Sequence, residues 1–206
     1  VFTTCGAVAA IVDFEPPPPI GTSYGHAFGQ TPAQTIPELG QDGIGVSFQE
    51  FVDSSISFTG FVEAEIGGRF AAGFPTTPLS LDTISARFDF AGVGFNVTQA
   101  SFEYLDLGIH YNLAVNDGTL REFGAFTELP ANPETGISLA LEELDPGTGR
   151  MRLTLTGDVN SFLIGGYELA IDNVVAVPEP ATLVLLGVCA AFLGWRGSRR
   201  RTQSAH

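Results

Sequence analysis

Carboxylates dominate the reactive inventory of this 206-residue chain, with 23 acidic residues against nine arginines and no lysine. Two groups at opposite ends stand out: Asp13 with Glu15, and Asp172 with Asn173. Carboxylate and amide oxygens of this kind suit calcium, which takes about six to eight oxygen ligands. These four can serve one ion only if the ends of the chain lie side by side. Glu142 and Glu143 are adjacent, so in a strand they point to opposite faces and make no local acid–base pair for glycoside hydrolysis. Gly21-Thr22-Ser23-Tyr24-Gly25 fits the G-x-S-x-G nucleophile elbow, but that device needs a strand turning sharply into a helix. Here four prolines (Pro16–Pro19) precede it and no helical pattern follows. His26, His110 and His206 show no metal-ligand spacing such as H-E-x-x-H. Cys5 and Cys189 lie in the apolar terminal segments, which leaves the rest of the chain without a thiol. The only tryptophan, Trp195, is near the end, so Tyr24, Tyr104 and Tyr167 are the candidates for a sugar-stacking ring.

The elements that must carry these residues are strands. Period-two alternation recurs along the chain. Ile56, Phe58, Val62, Ala64 and Ile66 share one parity. Ile84, Ala86, Phe88 and Phe90 alternate with Ser85, Arg87 and Asp89. Ile109, Tyr111, Leu113 and Val115, then Ile137, Leu139 and Leu141, then Met151, Leu153 and Leu155, repeat the pattern. Each reads as a strand with one wet face and one buried face. Asn116-Asp117-Gly118 predicts a hairpin between 109–115 and 119–127, because these residues tolerate positive φ. Asp145-Pro146-Gly147-Thr148-Gly149 does the same between 137–143 and 150–156. Further strands are expected at 10–15, 44–52, 97–107 and 167–175, about ten in all. The expected fold is all-β, an antiparallel β-sandwich of jelly-roll type. Segment 16–43, rich in proline and glycine and lacking alternation, is expected to be a long surface loop or a partly ordered flap.

Composition narrows the partners. Residues 1–177 hold 22 acids against five arginines, a formal charge of −17. A surface of that sign repels phosphate backbones, so nucleic acid is not an expected partner. It tolerates cations and neutral glycans. The plainer reading of the acid is solubility.

Both ends read as targeting segments. Residues 1–9 are small and apolar, and Ala7-Val8-Ala9 fits an A-x-A signal-peptidase site, so this stretch is read as the remnant of a secretion signal. An ordinary first strand is the alternative. At the other end, Pro178-Glu179-Pro180 precedes fifteen uncharged residues, Ala181 to Trp195. As a helix that run rises about 22 Å, short of a hydrocarbon core of roughly 30 Å. Trp195 suits the headgroup region, and Arg196, Arg199, Arg200 and Arg201 should stay cytoplasmic by the positive-inside rule, leaving the body outside. Residues 10–177 then form the extracytoplasmic domain, and 178–201 a tail with a single membrane helix.

The tail resembles the PEP-CTERM sorting domain of Gram-negative and related bacteria. The motif Pro178-Glu179-Pro180, the short apolar run with Gly187 and the closing arginines carry the likeness. It implies recognition by an exosortase, a membrane transpeptidase or protease, with Pro178, Glu179 and Pro180 as the motif and the arginines fixing topology. It also implies export and an association with exopolysaccharide and biofilm. A plain single-pass anchor has the same topology without processing. Separately, Asp13-Phe14-Glu15 and Ile171-Asp172-Asn173 resemble patterns in jelly-roll glycan-binding modules, in many of which the first and last strands are neighbours and can share a structural calcium.

Three functional readings follow. The first is a non-enzymatic surface or extracellular-matrix protein, anchored in the membrane or processed by an exosortase, in an exopolysaccharide environment. The second is a calcium-stabilised glycan-binding module. The third is an exported polysaccharide or ester hydrolase.

Overall fold

The computed structural model describes residues 8–15, 18–68 and 72–179. Within them the chain is all-β, with every strand pairing antiparallel and only three-residue 3-10 turns for helix. No helix among the described residues is long and apolar enough to cross a membrane. The predicted membrane helix at 181–195 lies outside the described residues, as do Pro180 and the four terminal arginines.

The first sheet contains β1 (Ala10–Val12), β2 (Ser23–Tyr24), β5 (Glu63–Ile66), β6 (Leu79–Asp82), β8 (Val97–Asp106), β11 (Ser138–Asp145), β12 (Arg150–Thr156) and β14 (Leu169–Pro178). Its order is β11-β12-β8-β14-β6-β5-β2, and β1 pairs with the second half of β14. The second sheet holds β3 (Gly45–Asp53), β4 (Phe58–Gly60), β7 (Ile84–Asp89), β9 (Tyr111–Val115), β10 (Arg121–Phe123) and β13 (Ser161–Gly166), ordered β10-β9-β13-β7-β3-β4.

Alternation explains why two layers form. Phe102 and Tyr104 of β8 face one way, and Phe88 of β7 and Phe162 of β13 face back at them. The Phe102 and Phe162 rings stack across the layers at 5.1 Å, and Phe162 also stacks on Phe88 at 5.0 Å. Tyr104 stacks on Phe126 at 3.9 Å. Burying such rings supplies most of what drives a sheet face out of water. One apolar cluster draws residues from both sheets.

Turn chemistry places the strands. Asn116 and Asp117 take positive φ (53° and 57°) and close the β9–β10 hairpin, with Arg121 opposite Leu113. The Asp145–Gly149 turn closes β11–β12, where the Gly147 N–H donates to Asp145 Oδ1 at 2.9 Å. Thr83, at φ 57°, is the single residue between β6 and β7, and it passes the chain from one sheet to the other.

Several expectations need correction. Ile56 is 65% exposed because residues 54–57 form the turn between β3 and β4, and Val62 is 47% exposed because it lies in the break between β4 and β5. Ile109 is 69% exposed, since β9 starts only at Tyr111. Most of residues 18–43 are exposed, but the segment is anchored at several points. Tyr24, Ile36 and Leu39 are buried in the core, and Thr35 bridges to Ser47 at the edge of β3. Tyr24 reaches the core from the two-residue strand β2, and Ile36 and Leu39 reach it from the start and end of a short 3-10 turn. The structure adds β2, β6 and β13, whose runs are too short or too uniformly buried for alternation to mark them.

Candidate functional site

The first and last strands of the described residues do meet. β1 runs antiparallel to β14, with Ala10 opposite Ala176 and Val12 opposite Val174. The first strand stops at Val12, however, so Asp13 and Glu15 lie just beyond it and not on it. Phe14 between them takes φ 52° and packs its ring against Phe88 at 6.4 Å. On the partner strand the β14–β8 register slips between Asp172 and Val175, with Asn173 at φ 49°. Such a bulge bends the strand and re-aims its side chains.

Asp172 is fully buried on the face of the sheet away from the core. Thr76 Oγ1 donates to its Oδ2, and the Asn173 N–H donates to Oδ1 at 2.7 Å. Burial pushes its carboxyl up to about 7, with smaller upward contributions from Glu103 and Asp13; the two hydrogen bonds pull the other way. Glu103, opposite Asp172 on β8, accepts from Arg152 at 2.9 Å and stands 3.7 Å from Arg150 Nε. Glu15 turns elsewhere: its Oε1 accepts from the Thr77 N–H at 3.1 Å. Asp13 Oδ1 accepts from the Glu15 N–H at 3.2 Å. The structure therefore brings Asp13 close to Asp172 but engages Glu15 with the 72–78 loop. Among the described residues no group of three or more His, Cys, Asp or Glu converges as a metal site.

The sorting motif is continuous with the fold. Pro178 is the last residue of β14, opposite Val97 of β8, and Glu179 follows it, exposed. A proline is tolerated there because the pairing ends at that residue.

Ser23 sits in β2, opposite Glu65, and is followed by a three-residue 3-10 turn (His26–Phe28). The strand–turn–helix of a nucleophile elbow is not formed. Of the candidate sugar-stacking rings, Tyr24 and Tyr104 are buried in the core, which overturns that expectation for both. Glu142 and Glu143 do split across β11, and Glu142 pairs with Arg152 at 3.2 Å.

One polar cluster had no signal in the sequence. Asp53, at the end of β3, accepts from the Ser55 hydroxyl at 2.5 Å, the Ser55 N–H at 3.0 Å and the Tyr167 hydroxyl at 3.2 Å. His110 Nδ1 stands 3.6 Å from the same carboxylate. The Ser55 hydroxyl does most to hold Asp53 below the ordinary carboxylate range, against the desolvation that pushes it up. With Ile56, Leu107 and Ile109, the residues Asp53, His110 and Tyr167 line a cavity of about 530 Å³. Asp53, His110 and Tyr167 come from three separate parts of the chain, so no local spacing announces them.

The described residues thus define an all-β protein of two packed antiparallel sheets, whose last strand runs directly into the tail. Residues 176–201 match the PEP-CTERM protein-sorting motif. The chain carries the sorting signal of an exported exosortase substrate, at the position its residues implied. No curated protein and no solved structure matches the chain.

Proposed function

We propose that this chain is an exported, non-enzymatic surface or extracellular-matrix protein that its tail delivers through the membrane to an exosortase. The observation that carries the reading is the sorting motif at residues 176–201, which begins inside β14. In this reading residues 181–195 form the membrane helix, the terminal arginines stay cytoplasmic, and the β domain faces outward into exopolysaccharide. The domain is a β-sandwich of jelly-roll type; the crossings β6 to β7 to β8 to β9, each from one sheet to the other, support that topology. The formal charge of −17 before the tail keeps such a domain soluble and away from anionic surfaces.

Cell fractionation tests the proposal. Full-length protein should be found in the membrane, and a shorter form outside the cell only when an exosortase is active. Protein confined to the cytosol in cells with a working export system overturns it.

A second reading keeps calcium as a structural ion. The β1–β14 pairing that sets Asp13 beside the buried carboxylate of Asp172 favours it. The donor set is Asp13, Glu15, Asp172 and Asn173, with Glu15 released from Thr77 to join. A melting temperature that rises with calcium and falls with chelator supports this reading; one indifferent to both removes it.

A further inference from the structure

The outward face of the second sheet carries polar groups that neither sorting nor the calcium reading uses. On β7, Ala86 and Phe88 point into the core, while Arg87 and Asp89 point out. Their neighbours are Ser47 on β3, opposite Arg87, and Ser161 on β13, opposite Asp89. Two clefts meet along this strand, and both are lined by Arg87 and Asp89. The one on the β13 side has a volume of about 500 Å³ and is bounded by Phe95, Asn96 and Asn160. The one on the β3 side has a volume of about 450 Å³ and is bounded by Ser47 and Gln49. Sharing Arg87 and Asp89, they lie side by side as the two arms of a candidate groove across β3, β7 and β13. At about 4.8 Å per strand it is longer than a single sugar ring.

The walls are built in advance. Arg87 donates to Asp117 Oδ1 and, at 3.0 Å, to Ser161 Oγ, and it stands 3.8 Å from Asp89. The side chain of Asn116 ties the rim: its carbonyl accepts from the Asn160 N–H at 2.7 Å, and its amide donates to the Asp158 carbonyl at 2.6 Å. A preorganised wall loses little freedom on binding.

We propose that this groove binds a neutral, hydroxyl-rich polysaccharide chain. Three features of its chemistry select that class. Amides and carboxylates provide donors and acceptors at close spacing, which vicinal hydroxyls can match. The Arg87 guanidinium is already compensated by Asp89 and Asp117, so it is not free to hold a phosphate, sulfate or uronate. The surrounding charge of −17 repels polyanionic chains further. An open groove also suits the middle of a chain better than a compact molecule, which an enclosed pocket would bury. That the protein meets such a polymer rests on the exported reading above; the recognition itself rests on the groove alone.

Affinity electrophoresis of the detergent-solubilised full chain tests it, with gels containing a neutral glucan, a neutral galactomannan or anionic alginate. Retardation is expected in at least one neutral gel and not in alginate. Asn96→Ala combined with Asn160→Ala, and separately Gln49→Ala, should each weaken the association about five- to ten-fold without lowering the melting temperature. Glu142→Ala, on the other sheet, should leave it unchanged. No retardation in either neutral gel, stronger retardation in alginate, or retardation that the groove variants leave intact overturns the assignment. Because the gel measures purified protein, a failure of export in the cell leaves this result untouched.

Discussion

Asp172 sits fully buried, opposite Glu103 on the neighbouring strand and within electrostatic reach of Asp13, which lies just past the end of β1. Its folded-state value of about 7 lies above the 3.8 of an unhindered aspartate. Between those values the folded chain holds a proton that the unfolded chain has released. Stability therefore falls as pH rises from about 4 to about 7 and levels off above, with a slope of about 1.4 kcal/mol for each step of one in pH. Asp172→Asn should remove this decline and melt higher than the parent at pH 8, while the two coincide near pH 4. Thermal melts of both chains across that range give the difference directly, and shared contributions from other carboxylates cancel. If calcium occupies the site, millimolar calcium should flatten the parent's decline. Asn112 makes a different kind of contribution. Although its strand neighbours suggest an exposed position, it is fully buried and bonds both the Val52 N–H and the Val52 carbonyl at 2.8 Å. Asn112→Ala leaves both backbone groups unpaired and should cost about 1–3 kcal/mol in denaturant unfolding.

Close approach decides how the second sheet is built. A Cβ on Gly165 of β13 would lie 2.2 Å from Ser85 Oγ and 2.8 Å from Ser85 Cα on β7. Backbone cannot yield as a flexible side chain can, so Gly165→Ala should lower stability by about 1–3 kcal/mol through a shift of β13 against β7. Because Phe162 is on the same strand, that shift also disturbs the core. The Phe162 ring touches Phe88, Phe90 and Phe102, joining the two layers at one point. Phe162→Ala should cost about 3–5 kcal/mol, measured by the same unfolding curves. The two variants separate sheet geometry from the contact between sheets.

At the scale of the molecule, fold and tail overlap by only a few residues. β14 carries the pairings of β1, β6 and β8 and ends at Pro178, and the matched motif begins at residue 176. Ending the chain after Glu179 keeps every one of those pairs. The truncated protein should melt within about 2 °C of the full chain, yet it should lose membrane association in cell fractionation. Ending it after Asn173 instead removes the partners of β1 and should unfold the domain. Because β14 ends at Pro178, a cut just past Glu179 would leave the domain intact with almost no trailing chain.

The tail was legible from the sequence because its signals are local: a tripeptide, an uncharged run and a cluster of arginines need no fold to be recognised. The class of fold was legible for a related reason, since alternation records which face of a strand is wet, and the Asn116-Asp117-Gly118 and Asp145–Gly149 turns record where it reverses. Pairing between the first and last strands was expected and is found, but strand parity could not show that β1 stops at Val12 or that a bulge at Asn173 re-aims its neighbours. Nor could parity foresee the burial of Ser85, Asn112 and Asp172 on faces that alternation marks as wet. Tertiary structure alone decided those positions, together with the Asp53–His110–Tyr167 cluster and the groove at Arg87. Each joins strands far apart in the chain, and the distance between two residues in such strands depends on sheet order, not on the spacing between them in sequence.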